Sequence, residues 1–254
     1  MKVFASDYDG TFRLLEKVSE YDKKKVEEWR KQGNLFGLVT GRSIESILSE
    51  QIIHRFEYDF LICNNGGVIY DCDMNLLKME FMHYQTVCEI LKYVKELPII
   101  SYVLNDGFHR SKMILNKEIV DLKYGALHDF INEEDILKEK KISQLVLSTN
   151  DEALSHEISD FINKTYNEHV ISYVNVNCVD IVPLGVSKEE GLKFLKDYYG
   201  WEEIYTIGDS YNDICMLEAF CGFSVQQAVD EVKKHANKVY KNVGECLLDL
   251  MKEI

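Results

Sequence analysis

No stretch of the sequence approaches the run of about 18 uninterrupted apolar residues that a membrane-spanning helix needs, although 46% of its residues are hydrophobic. A membrane partner is therefore not expected. Positive charge is scarce as well: 29 Lys and Arg stand against 43 Asp and Glu, a formal net charge of −14. A chain this acidic repels phosphate backbones at long range, which argues against a general nucleic-acid binder. If it handles phosphate, the positive charge must be gathered locally. Cys63, Cys72, Cys88, Cys178, Cys215, Cys221 and Cys246 are scattered, odd in number and never spaced C-x-x-C. They suit reduced thiols in a cytoplasmic core better than a disulfide framework or a zinc site. The histidines include no H-E-x-x-H and no close pair, so a zinc centre has no support. Near the amino end Asp7 breaks the apolar run, and no Arg-rich, acid-poor segment replaces it, so neither a secretory signal nor a transit segment is expected.

Proline is also rare, with only Pro98 and Pro183. Pro183 stands in VDIVPLGVSKEEG, and Pro183-Leu184-Gly185 breaks both helical and strand periodicity, as a linker would. What is present is an alternation of short β-rich apolar runs with helical patterns, the arrangement of βα units around a parallel sheet. The strand candidates are Val3 to Ala5, Leu35 to Val39, Phe60 to Cys63, Ile204 to Ile207 and Gly222 to Val225. Ser19 is placed to cap a helix running to Gln32 and ending at Gly33. Helical spacing recurs at Val87, Ile90, Leu91 and Val94, and at Leu154, Ile158, Phe161 and Ile162. Strand-like runs lie beside these helices at Ile99 to Leu104, Leu145 to Leu147 and Val170 to Val182, so the middle third reads as an insertion into the first sheet.

The polar residues fall at strand ends. Asp7 follows the first strand, Thr40-Gly41-Arg42 the second, Asn64-Asn65-Gly66 the third and Gly208-Asp209-Ser210 the fourth. In open parallel α/β sheets ligands bind beyond the carboxyl ends of the strands, so four separate strand ends would deliver these side chains to one edge. Asp7, Asp9, Asp209 and Asp213 supply hard oxygen ligands suited to Mg²⁺, which would cancel their mutual repulsion and dock a phosphoryl oxygen. With one Asp7 oxygen on the metal, the other is available as a nucleophile, and Asp9 could serve as general acid and base. The backbone N–H groups of Tyr8, Gly10 and Gly41, the Thr40 hydroxyl, the Asn212 carboxamide and the Lys188 ammonium could hold phosphoryl oxygens. Ser187 and Glu190 form a capping-box pattern that sets Lys188 in the first turn of a helix. Arg42 either orients an acid or the substrate or pairs with a surface acid. Asn64-Asn65-Gly66-Gly67 has hairpin-turn composition. DYDG is no calcium loop, because its Gly comes too early and its twelfth position is Val18.

DYDGT, TGR, a Lys after PLGVS, and GDSYND resemble, in order and spacing, the four motifs of the haloacid dehalogenase (HAD) superfamily, specifically its Cof-type phosphatases with a C2-type α/β cap. The resemblance implies an α/β fold: a Rossmann-like parallel-sheet HAD core (residues 1–80 and 185–254) with an inserted α/β cap domain (81–184). It implies Asp7 as nucleophile and Asp9 as acid/base, and Mg²⁺ held by Asp7, the Asp9 carbonyl and Asp209, with Asp213 supporting its waters. Phosphate or substrate would be bound by Tyr8, Thr11, Thr40, Gly41, Arg42, Lys188 and Asn212. Two departures stand out: Phe12-Arg13 where two apolar residues are usual, and Gln226-Gln227-Ala228 where an Asn-Ala pair is common. The expected activity is hydrolysis of small phosphorylated metabolites such as sugar phosphates, by a cytoplasmic monomer or homodimer. A sugar-phosphate mutase and a non-catalytic phosphometabolite-binding regulator are the alternatives. In the cap, Asn105, Asp106, His109, Arg110 and Asp180 are polar candidates for substrate contact, and solvated loops explain them equally well.

Overall fold

The computed structural model describes residues 1–119, 130–175 and 177–252. The chain opens with β1 (Lys2–Ser6), a small hairpin of β2 (Arg13–Leu14) and β3 (Lys17–Val18), then α1 (Glu20–Lys31), β4 (Leu35–Val39) and α2 (Ile44–His54). The antiparallel run β5 (Phe60–Cys63), β6 (Val68–Asp71) and β7 (Leu76–Met79) follows. A second group comprises α3 (Tyr84–Val94), β8 (Ser101–Asn105), β9 (Arg110–Ile114), α4 (Glu133–Glu139), β10 (Gln144–Ser148), α5 (Glu152–Thr165), β11 (Val170–Asn175) and β12 (Cys178–Pro183). The chain closes with α6 (Lys188–Tyr199), β13 (Glu203–Gly208), α7 (Ile214–Ala219), β14 (Cys221–Val225), α8 (Asp230–Lys234), β15 (Val239–Tyr240) and α9 (Val243–Leu250).

The first and last groups build one eight-stranded sheet in the order β15-β14-β13-β1-β4-β5-β6-β7, parallel from β15 through β5. Its inner strands are apolar without alternation because helices cover both faces. On β1, Phe4 packs with Trp29 and Phe36, while Val3 and Ala5 face Leu192, Leu195 and Trp201. The middle group forms a separate antiparallel sheet, β11-β12-β10-β8-β9, with its own core of Val87, Ile90, Leu104, Leu145, Ile158 and Ile181 among others. No described helix is long and apolar enough to cross a membrane.

Local signals explain most boundaries. The Ser19 hydroxyl accepts from the Asp22 N–H to start α1, and Gly33, at φ 79°, follows its end. The apolar run Val170 to Val182, expected as a strand-like stretch, is two antiparallel strands, one ending at Asn175 and the next beginning at Cys178, and alternation alone does not locate the break inside such a run; Val176 lies outside the described residues. Pro183, expected in a linker, is the last residue of β12, a position where its missing N–H costs little.

β13, β1, β4 and β5 are neighbours, and β1 is where the connections switch from one side of the sheet to the other. The residues after these four strands therefore meet at a single carboxyl edge, beside the topological switch point.

Candidate active site

Beyond β1 the chain turns sharply: Phe12 N–H donates to the Asp7 carbonyl and Arg13 N–H to that of Tyr8. The turn needs Gly10, which sits at φ 84° and whose Cβ would lie 2.3 Å from Asp209 Oδ2. Asp7 is thereby brought against Asp209 and Asp213, one carboxylate oxygen from each lying within 4.8 Å of the others. Lys188 enters from the first turn of α6, whose cap is the Ser187 hydroxyl accepting from Glu190 N–H at 3.1 Å. Its ammonium donates to Asp7 Oδ1 at 2.6 Å and to Asp213 Oδ1 at 2.5 Å. Asp213 Oδ2 accepts the N–H groups of Asp209 and Ser210, each at 2.9 Å, and Thr11 donates its hydroxyl to Asp209 Oδ1 at 2.6 Å.

This cluster is short of positive charge. Lys188 is 1% exposed and Asp7 5%, so neither is much relieved by solvent. Burial pushes the Asp7 carboxyl well above its usual pKa; Lys188 opposes this, while Asp213 and Asp209 add to it. Burial, then the charge of Asp213, pushes Asp209 up to about 6. Burial alone would lower the Lys188 pKa, but Asp213 and Asp7 outweigh it and hold the ammonium protonated. Asp7 Oδ2 is buried with no hydrogen-bond partner among the described residues. Three carboxylates, one with an orphaned oxygen, against a single ammonium make a hard, all-oxygen donor set that suits a small divalent cation.

The carboxylate of Asp9 lies elsewhere. Arg42 grips it through two nitrogens, with Nη2 at 2.8 Å from Oδ1, and Arg13 adds a contact at 3.3 Å. Arg42 also donates to Ser46 at 2.9 Å and to Glu50 at 3.0 Å, and lies over the Tyr8 ring at 5.3 Å. Glu50 further accepts the Tyr8 hydroxyl at 2.8 Å and pairs with Arg13 at 3.1 Å. Two expectations are corrected here, and one left open is narrowed. The Asp9 side chain is not in the acidic cluster, because two guanidiniums hold it apart from the three carboxylates there. Arg42, open between orienting an acid or the substrate and pairing with a surface acid, contacts Asp9, Ser46 and Glu50, so contact with an acid is the reading seen. The Gly10 N–H is also engaged, donating to the Arg13 carbonyl at 3.0 Å.

Thr40 Oγ1 accepts from the Arg42 N–H at 3.1 Å, and the Gly41 carbonyl accepts from Gln144, on β10, at 2.9 Å. Asn212 Nδ2 donates to Asn65 Oδ1 at 3.0 Å. The two sequence departures are structural parts of the site. Phe12 is buried against Phe36 and Phe56 while Arg13 reaches Asp9 and Glu50, and Gln227 donates to the Gly10 carbonyl at 2.9 Å. Glu50, Gln144 and the contact role of Asn65 were not legible in advance. Glu50 stands eight positions after Arg42 on a helix, a spacing that any surface acid could have.

The profile of the haloacid dehalogenase-like hydrolases matches residues 4–245. A 5-amino-6-(5-phospho-D-ribitylamino)uracil phosphatase of Bacillus subtilis is 24% identical over 244 residues, covering 94% of this chain and 89% of that protein. A solved structure described as a HAD/COF-like hydrolase from Plasmodium vivax superposes with a TM-score of 0.87 at 22% identity, covering 100% of this chain and 96% of the other. A HAD subclass IIB sugar phosphatase superposes at 0.81 with 18% identity, covering 100% and 98%. With this profile match over nearly the whole length, the chain belongs to the haloacid dehalogenase-like hydrolases.

Proposed function

We propose that this hydrolase cleaves small phosphate monoesters, sugar phosphates or related metabolites, through an aspartyl-phosphate on Asp7, with Mg²⁺ as its cofactor. The observation that carries the reading is the cluster of Asp7, Asp209 and Asp213 around the Lys188 ammonium, with Asp7 Oδ2 left without a partner among the described residues. The activities of the Bacillus subtilis phosphatase and the subclass IIB sugar phosphatase support it. Mg²⁺ fits the residues present: Asp7, Asp209 and the Asp9 carbonyl would hold it, with Asp213 supporting its waters. When bound, the ion supplies neutralising charge and an electrophilic anchor for a phosphoryl oxygen.

Lys188 fixes Asp7 Oδ1 in place, and this oxygen attacks phosphorus. The O–P bond forms as the ester P–O bond breaks, and Asp9 in its acid form gives its proton to the leaving oxygen. Asp9, now a carboxylate, takes a proton from water, whose oxygen attacks phosphorus and releases inorganic phosphate and free Asp7. For these transfers Asp9 gives up one contact with Arg42, which otherwise holds the carboxylate two residues from the nucleophile. Lys188, Thr40, the Gly41 N–H and Asn212 hold the phosphoryl oxygens. Residues 81–184 act as a cap on the core of 1–80 and 185–254, excluding bulk water and reading the leaving group. Gln144 donating to the Gly41 carbonyl and the Arg110–Glu45 ion pair at 3.0 Å support that placement.

The test is release of inorganic phosphate from a panel of phosphorylated metabolites, with and without Mg²⁺. Metal-dependent release is the expected result. Isomerised sugar phosphate without net release would point to a mutase, and tight binding without turnover to a regulator.

A further inference from the structure

The turn joining β5 to β6 holds two consecutive non-glycine residues in the left-handed region, Asn64 at φ 51° and Asn65 at φ 55°. Asn tolerates this conformation better than most residues, yet it still costs on the order of 1 kcal/mol each, so the surroundings must hold it. Gly66, at φ 110°, allows the turn to pack on α6: a Cβ there would lie 2.1 Å from the Ser187 carbonyl oxygen. Turn side chains usually meet solvent, but Asn64 and Asn65 are 0% and 1% exposed. Asn65 Nδ2 donates to Asp180 Oδ2 at 2.8 Å and Asn65 Oδ1 accepts from Asn212 Nδ2 at 3.0 Å. Asp180 belongs to β12 in the five-stranded sheet, whereas Asn212 follows β13 in the eight-stranded one. One carboxamide thus bridges the two sheets.

The chain of bonds has a direction set by chemistry. A carboxylate oxygen accepts, and Asn65 turns its NH₂ toward Asp180 Oδ2. Its carbonyl then faces Asn212, which must answer with its own NH₂. The Asn212 carbonyl is thereby directed away, and it is buried with no partner among the described residues. A buried acceptor left unmet costs about 1–3 kcal/mol, and that cost is relieved when a ligand or its hydration supplies a donor.

We infer that Asn65 is a positioning residue that, under the direction of Asp180, fixes which end of the Asn212 carboxamide faces the phosphate site, so that docking of the five-stranded sheet and readiness of Asn212 are one linked event. The inference rests on the reading of Asn212 as a phosphate-contacting residue. With Asp180 in place, Asn212 presents one remaining N–H and one carbonyl in a fixed arrangement. Without it, both carboxamides are free to flip, and the one Asn212 N–H left over for phosphate is no longer held in a single place.

Two measurements test this. In ¹⁵N-labelled protein the side-chain amide signals of Asn65 and Asn212 are assigned by their disappearance in Asn65→Gly and Asn212→Ala; Gly suits the left-handed backbone, so removing that side chain adds no strain. Asp180→Asn keeps the shape but removes the acceptor-only end, and it is expected to shift the signals of both residues. Asn212 signals that stay in place would overturn the relay, whatever the protein turns over. The second measurement is calorimetric binding of inorganic phosphate with Mg²⁺ present. Asn65→Gly is expected to weaken it about 10-fold, and the double variant with Asn212→Ala should bind no more weakly than Asn212→Ala alone, because Asn65 acts through Asn212. Losses that multiply in the double variant, or no loss in Asn65→Gly, refute the inference. A wild-type protein that binds no phosphate counts against the proposed phosphatase, while the spectral measurement still decides the relay.

Discussion

Two clusters of charge flank Tyr8, and they are solved in opposite ways. On one side, among the described residues, Asp7, Asp209 and Asp213 have Lys188 as their one cation. On the other, Asp9 and Glu50 share Arg13 and Arg42, two acids against two guanidiniums. The balanced cluster needs nothing more and serves to hold Asp9 and the Tyr8 hydroxyl in place. The starved cluster is held together by the fold against its own repulsion, and that imbalance is what makes it a candidate for cation binding and chemistry. The starved cluster is also the more deeply buried, with Lys188 and Asp213 almost wholly enclosed while Asp9 is partly exposed, and counting cations separates the two.

The comparison breaks most visibly at Asp7. Asp7→Asn should lower turnover at least about 10⁴-fold, since the nucleophile is lost. The same change removes a negative charge from an over-acidic site, so Mg²⁺-free thermal stability should hold or rise. An unfolded variant, or one with wild-type phosphate release, would refute the assignment. Lys188→Met works in the other direction. It leaves Asp7 and Asp213 buried without their ammonium, so a loss of about 3–5 kcal/mol in urea denaturation is expected. Adding Asp213→Asn to Lys188→Met should restore part of it; a double variant less stable than the single one would mean that repulsion is not the cause.

On the balanced side the effects are smaller. Arg42→Lys keeps the charge but loses the two-pronged grip on Asp9 and the contacts to Ser46 and Glu50. Turnover should fall about 10- to 100-fold with a stability loss under about 2 kcal/mol, because Arg13 still faces Asp9 and Glu50. A stability loss as large as that of Lys188→Met, with turnover intact, would show that this cluster serves the fold and not Asp9.

What could be read in advance follows the same division. Asp7, Lys188, Asp209 and Asp213 each sit just beyond a strand or in the first turn of a helix, where chain order already dictates the edge they reach; the structure brings these four together. The parallel core was legible for the same reason, since strands covered on both faces leave long apolar runs. The partners in the balanced cluster were not. Glu50 lies mid-helix with no local signal, and Arg13 showed only as a departure from a usual apolar position. Asn65 had the composition of a hairpin turn, and it does lie in one, between β5 and β6; its side-chain role depends on Asp180, 115 positions away. Side-chain contacts at that separation exist only once both sheets are in place.

A third buried acid, far from both clusters, tests whether cations are needed at all. Asp22 is 2% exposed and has no ion-pair partner among the described residues; Oδ1 accepts the Gly244 N–H at 2.7 Å and Oδ2 the Ser19 hydroxyl at 2.6 Å, tying α1 to α9. Burial raises its pKa above 3.8, and these hydrogen bonds, which favour the charged form, only partly offset the rise. Between the unfolded value and the raised one the folded chain binds more protons than the unfolded chain. Its contribution to stability therefore falls as pH rises through that window and is greatest below it. Asp22→Asn keeps an acceptor for Gly244 without a charge to bury, so it should change stability by no more than about 1 kcal/mol near neutral pH and reduce the pH slope across the window. Urea midpoints of both proteins at a series of pH values, with Mg²⁺ present throughout so that the Asp7 cluster contributes alike to each, give the difference. Identical slopes would mean that hydrogen bonds alone had fully replaced a cation at this carboxylate, and the cation count that separates the two clusters around Tyr8 would lose its force.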